Sequence, residues 1–139
     1  MTEVMLTEEM FSTGKPFAQG EVLIWMKKYA PKEILEKVAA LKNMVDMKLE
    51  NDQLILGHSE TGHHHVLEPV RKDVHVSKVA QALIDLANDN FVNLKLLEPC
   101  EIIHLRGFDT HKSIVLPAGE YIRGLREEQT VEGWVRVAD

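Results

Sequence analysis

Between Gln19 and Lys27 the apolar residues alternate poorly, with Val22, Leu23, Ile24, Trp25 and Met26 running together behind a glycine at position 20. A short run of this composition predicts a buried strand. Pro31 is suited to the first turn of a helix. Beyond it Ile34, Leu35, Val38, Leu41, Val45 and Leu49 recur at three- and four-residue spacing, while Lys32, Glu36, Lys37, Lys42 and Asp46 take the opposite face. That period predicts an amphipathic helix over 31–48, with Met44 and Leu49 facing Val22, Ile24 and Trp25. Asn51-Asp52 predicts a turn, 53–56 a strand, and 63–67 a further extended stretch after a 57–62 loop. Ser77 fits an N-cap, and Val79, Ala80, Leu83, Ile84, Leu86 and Ala87 form a broad apolar stripe that stops at Asn88-Asp89-Asn90. This predicts a second helix over 77–87. From Phe91 on, β-type runs at 93–97, 101–105, 113–116, 120–126 and 134–137 are punctuated by Pro99, Gly107, Pro117-Ala118-Gly119 and Gly133.

These elements imply an α+β fold: a small antiparallel β-barrel or sandwich, with a cupin-like variant, and two flanking helices. The chain has 139 residues, the size of one domain with one core, so 1–139 reads as a single domain in which 1–15 is the loosely specified part. Hydrophobic residues make up 45% and charged residues 27%, a balance that argues against disorder. The net charge is −6, Lys and Arg are scattered, and aromatics amount to 6%, so nucleic acid is disfavoured as a partner. Apolar runs fall far short of the roughly 20 residues of a membrane span, and Met1-Thr2-Glu3 is no signal-peptide start. Cys100 is the single cysteine, which rules out an internal disulfide, fits a reducing cytoplasm and reads as a core residue. A small molecule, another protein or a second copy of the chain remain as partner classes.

Chemistry concentrates in Gly57-His58-Ser59-Glu60-Thr61-Gly62-His63-His64-His65, with His104 and His111 further on. In a strand, residues two apart lie about 7 Å apart on one face, so His63 and His65 could converge on one ion while His64 points away. Three protein ligands and an open position are the usual catalytic zinc arrangement. The third ligand could be His111, Glu68, His58 or His104, with His111 the first choice. The cofactor expected is therefore a divalent metal ion, zinc first, held by His63, His65 and His111. Gly57 and Gly62 would let the loop approach closely, and Glu60 would serve as ligand, orienting group or general base. The alternatives are a solvated histidine run, a hydrogen-bonded core pair, or metal-free acid/base work. Gly57 to Thr61 starts like a nucleophile elbow, but its glycine comes one place late and no helix follows. As a phosphate loop the segment lacks the lysine.

Gln19-Gly20-Glu21-Val22-Leu23-Ile24, the stretch from Gly57 to His65, the stretch from His111 to Tyr121, and the ending Gly133 to Asp139 together resemble a family of small bacteriophage and prophage proteins. The shared features are a Gln-Gly-Asp-Val type opening strand, a Thr-Gly-His-x-His signature, and a closing His, Leu-Pro-x-Gly-x-Tyr and Val-x-Asp pattern. The resemblance covers about half the chain. It implies that His63, His65 and His111 are the signature histidines and that the protein works in the host cytoplasm. It implies no reaction. The first cupin motif is matched from Gly57 to His65, but Glu68 arrives too early and Ile122 stands where the second motif places a histidine, so that likeness is one of fold at most. Two functions compete: a metal-binding β-domain, with an enzymatic version in which Glu60 is the base, and an accessory or protein-interaction module in which the cluster is structural or exposed. A nucleic-acid-binding barrel ranks last.

Overall fold

Period-two burial organises most of this chain. The computed structural model describes residues 3–58, 64–104, 113–130 and 133–136. In chain order they form β1 (Glu3–Met5), α1 (Glu8–Phe11), β2 (Phe17–Gln19), β3 (Val22–Met26), α2 (Lys32–Ala39), β4 (Val45–Asp46), β5 (Leu54–Gly57), β6 (His65–Pro69), β7 (Ala80–Asp85), β8 (Asn88–Leu96), β9 (Cys100–His104), β10 (Ser113–Leu116), β11 (Gly119–Leu125), β12 (Glu127–Thr130) and β13 (Gly133–Arg136). A five-stranded sheet runs β1-β10-β9-β6-β5 and a six-stranded sheet runs β2-β3-β11-β8-β7-β4, while β12 and β13 pair with each other. Every pairing is antiparallel except β1 with β10.

One apolar core lies between the two sheets. Leu54, Leu56, Leu67, Ile102, Ile114 and Leu116 come from the first, and Val22, Ile24, Met26, Ala82, Ile84, Val92, Leu94, Leu96 and Tyr121 from the second. The fold is thus an α+β sandwich; no closed barrel forms among the described residues, and nothing in the strand order singles out the cupin-like variant. The poor alternation of β3 has a simple cause. Val22, Ile24 and Met26 face the inter-sheet core, whereas Trp25 and Leu23 on the other side meet Ile34 and Val38 of α2 and Ile122 of β11. Both faces of the strand are covered, so both are apolar. At the start of the chain, β1 pairs with β10, and Phe11 of α1 is buried edge-on against Phe17 and Tyr121.

Two expected helices are corrected. The helix expected over 31–48 ends at Ala39. Only Ile34 and Val38 of its stripe are buried, while Val45 and Leu49 are exposed, so the predicted packing of Met44 and Leu49 on Val22, Ile24 and Trp25 does not form. Asn43 turns the chain in the left-handed region at φ 54°. The Lys42 N–H then donates to Asp85 Oδ2 and the Met47 N–H to the Ala82 carbonyl, which lays the segment along β7. A strand edge with unmet hydrogen bonds outcompetes helix turns that have no surface left to cover.

The helix expected over 77–87 is instead a single 3-10 turn, Val76–Lys78, followed by strand β7. Its apolar residues satisfy two periods at once. Ala80, Ala82 and Ile84, at alternate positions, sit opposite Leu96, Leu94 and Val92 of β8, and these cross-strand pairs are formed against a neighbour that a helix would forgo. Asp85 closes the hairpin by accepting the Ala87 N–H at 3.0 Å, an Asx-type turn.

Candidate functional site

Among the described residues, His58, His64, His65 and His104 gather at one end of the sandwich because of hairpin connectivity. β5 ends at Gly57, β6 begins at His65 and β9 ends at His104, with Gly57 paired to His65 and His65 paired to His104. β10, the far side of the next connection, pairs with β9 from Ile114 opposite Ile102 onward. The described ends that bracket 59–63 and 105–112 are therefore neighbours in one sheet. Of the seven histidines in the sequence, all but His75 fall within 58–65 and 104–111. Glu60, His63 and His111, three of the four residues expected at the site, lie outside the described residues; His65 lies within them.

His65 is fully buried. Its ring stacks on that of His104 with centroids 4.1 Å apart and planes 8° from parallel. This follows from the register, since directly opposed side chains on one face of an antiparallel pair are the closest neighbours in a sheet. Across the sandwich, Gln19 at the end of β2 reaches over from the other sheet. Its Oε1 lies 2.8 Å from His65 Nδ1, and its Nε2 donates to the Ile102 carbonyl at 3.0 Å. Gln19, Glu21, His65 and His104 are all buried, so this end of an otherwise apolar core is polar. Gly57 supplies the room: a Cβ there would stand 2.6 Å from Val22 Cγ2, 3.1 Å from His65 Cδ2 and 3.5 Å from Glu21 Oε1. The Arg126 N–H donates to the Glu21 carbonyl at 2.7 Å, tying the end of β11 to the same corner.

The remaining candidates are placed differently. His64 is half-buried, and its ring stands edge-on to that of exposed His58 at 5.2 Å. His58 Nε2 is 2.5 Å from Glu50 Oε2. Glu68 is three positions along β6 from His65, on the opposite strand face, with Lys72 Nζ at 3.9 Å. It is thereby removed as a partner of His65. Of the residues considered as a third ligand, His58, Glu68 and His104 are described, and among these His104 is the one in ring contact with His65. Among the described residues no group of three His, Cys, Asp or Glu side chains is gathered as a metal cluster.

Cys100 is buried in the core, where burial raises its thiol to about 11, so it has the character of a packing residue. Sequence reasoning missed Gln19 and the face-to-face role of His104. A signal was present for the first: a glutamine next to Gly20, at the head of an apolar run, must find partners once buried. No helix of the described residues is long and apolar enough to cross a membrane. Comparisons of the chain with protein-family models, with curated proteins and with solved structures returned no match.

Proposed function

We propose that the histidine end of this sandwich binds a divalent metal ion, zinc first, with His63, His65 and His111 as ligands. The supporting observation is that the described ends of both histidine stretches are neighbours at one sheet end, through the His65 and His104 register. The chemistry of the donor set suits zinc, since neutral imidazole nitrogens bind it at about 2.0 to 2.1 Å. A metal held by three ligands with one position open supplies an activated water. Glu60 would then take the proton, and a small-molecule substrate would make the protein a metal-dependent enzyme. The resemblance to phage and prophage proteins suggests an origin in a phage-infected host and adds no reaction.

One observation favours the second reading, an accessory or interaction module with a structural histidine pair. His65 is wholly enclosed, with Gln19 on Nδ1 and His104 on its face. The deciding experiment is elemental analysis of protein purified without a histidine tag, followed by thermal unfolding with and without Zn²⁺. Metal at about 100 times its dissociation constant should add roughly 2.7 kcal/mol at pH 7.5. The gain should shrink at pH 5, below the ordinary histidine pKa of about 6.5, because ligands must be unprotonated. His63→Ala and His111→Ala should abolish the gain and His64→Ala should retain it. A parent protein without bound metal and without a Zn²⁺-dependent shift refutes the proposal and leaves the structural reading.

A further inference from the structure

We infer that the outer face of the six-stranded sheet carries a second binding site, a groove beside α2 that takes a small aromatic carboxylate. The groove lies on the other side of that sheet from the inter-sheet core, so it stands or falls independently of the metal reading. Its floor follows from strand alternation. Val22, Ile24 and Met26 of β3 point into the core, which leaves Leu23 and Trp25 on the outer face together with Phe91 of β8 and Ile122 of β11. Ile34 and Val38 of α2 pack on part of this face. The eight residues of α2 span only about 12 Å. Beside them a groove of about 730 Å³ stays open, lined from the sheet by Leu23, Trp25, Phe91 and Leu125. That is the size of a small-molecule site, about 300–1,000 Å³.

Gly124 lets the aromatic pair close over β11. A Cβ there would stand 2.6 Å from Trp25 Cζ3 and 3.4 Å from Phe91 Cε1. With no side chain in the way the two rings meet at 6.4 Å with planes 47° apart, and a third ring can join such a pair by edge or offset contact. The polar part of the lining sets the sign of the ligand. Lys37 of α2 and Arg126 just beyond β11 border the groove, and among the described residues no carboxylate lines it. Neither cation is held in an ion pair among the described residues. In a chain of net charge −6 this is a local reversal of sign, and it favours an anion. The Arg126 N–H donates to the Glu21 carbonyl at 2.7 Å, so its side chain starts from a fixed place on the rim. One carboxylate on a flat apolar body matches both halves of the groove: the body covers half-buried Leu23, Phe91 and Leu125, and the charge lies toward Lys37 and Arg126. A nucleic-acid backbone would need a longer row of cations.

The test is calorimetric titration of naphthoate and of neutral naphthamide into the full chain, with ¹⁵N-edited NMR spectra to locate the site. Naphthoate should bind once per chain with a Kd of about 1 mM or tighter, shifting the indole N–H of Trp25 and the amide N–H of Phe91. It should bind about 2- to 30-fold more tightly than naphthamide, the range expected of two solvent-exposed ion pairs. Salt at about 1 M should erase much of that ratio. The double variant Lys37→Gln/Arg126→Gln should bind acid and amide about equally. Lys15→Gln/Lys48→Gln makes the same change of net charge at exposed positions elsewhere and should keep the ratio. The inference is overturned if the parent shows no saturable binding, including the case in which another part of the chain already fills the groove. It is equally overturned by equal affinity of the parent for acid and amide, by a ratio that survives in the Lys37 and Arg126 variant or is lost in the Lys15 and Lys48 variant, or by shifts confined to residues away from Trp25 and Phe91.

Discussion

Replacing Gly57 by alanine tests whether β5 approaches the site as closely as the structure shows. The backbone at Gly57 lies outside the left-handed region, so alanine meets no conformational objection there and the whole effect is steric. The new Cβ would stand 2.6 Å from Val22 Cγ2, about 1 Å or more inside the roughly 3.5–4.0 Å at which carbons rest. Val22 is fully buried, and a β-branched side chain has little freedom at χ1, so the strands themselves must part. Overpacking of this kind costs about 1–3 kcal/mol, and a stiff neighbour places it at about 2–3. For a domain of this size that lowers the melting temperature by about 6–12 °C. Val22→Ala alone should cost about 2 kcal/mol by losing buried methyls. In the double variant the clash is gone, so the two costs should fall short of additivity by about 1 kcal/mol or more. Differential scanning calorimetry of the four proteins reads all of this. An unchanged midpoint for Gly57→Ala, or strict additivity in the double variant, would refute the close approach.

Ile102, a residue of β9 buried in the core between the sheets, should cost about 2–5 kcal/mol on truncation to alanine, whereas half-buried Leu41 should cost much less; equal losses in urea unfolding would contradict the early end of α2. Asp85 accepts two backbone N–H groups with its two oxygens, from Lys42 and Ala87, so Asp85→Ala should destabilise by about 2–3 kcal/mol and Asp85→Asn by less, since one acceptor oxygen survives; a neutral alanine variant would refute the anchoring of 42–47 along β7. Burial lifts the Cys100 thiol from 9.0 to about 11, so its protonated form is favoured by folding: that stability is complete below about pH 9 and is lost as pH rises from 9 to 11. The same burial means that a thiol reagent at pH 8 should label the native protein far more slowly than the unfolded one, and rapid native labelling would contradict its place in the core.

The strands of this protein were legible where residues of one character fill a short run. Those at β3, β5, β6, β9, β10 and β11 fall within a few residues of their predicted limits, because apolar content bounded by Gly, Pro and Asn is a local property. Of the two expected helices the first forms but stops at Ala39 and the second is a strand, for a reason no window could contain. Val79 to Ala87 fits a helical stripe and an alternating strand alike, and the choice fell to β8, whose Val92, Leu94 and Leu96 complete the pairs.

The segment 42–47 was likewise decided by the edge of β7, through Asp85 and the Ala82 carbonyl. At the site, sequence alone could mark the histidine clustering, and strand alternation could separate His64 from His65. It could not supply Gln19 as the oxygen on Nδ1 or His104 as the stacked ring. Their positions, 46 and 39 residues from His65, are joined to it only when the sheets close and the register of β6 on β9 is set. Composition and period act over a few residues, and so the sequence by itself determined the short apolar strands and where the histidines cluster. Pairing and burial act between stretches, and so the tertiary structure decided what each imidazole touches.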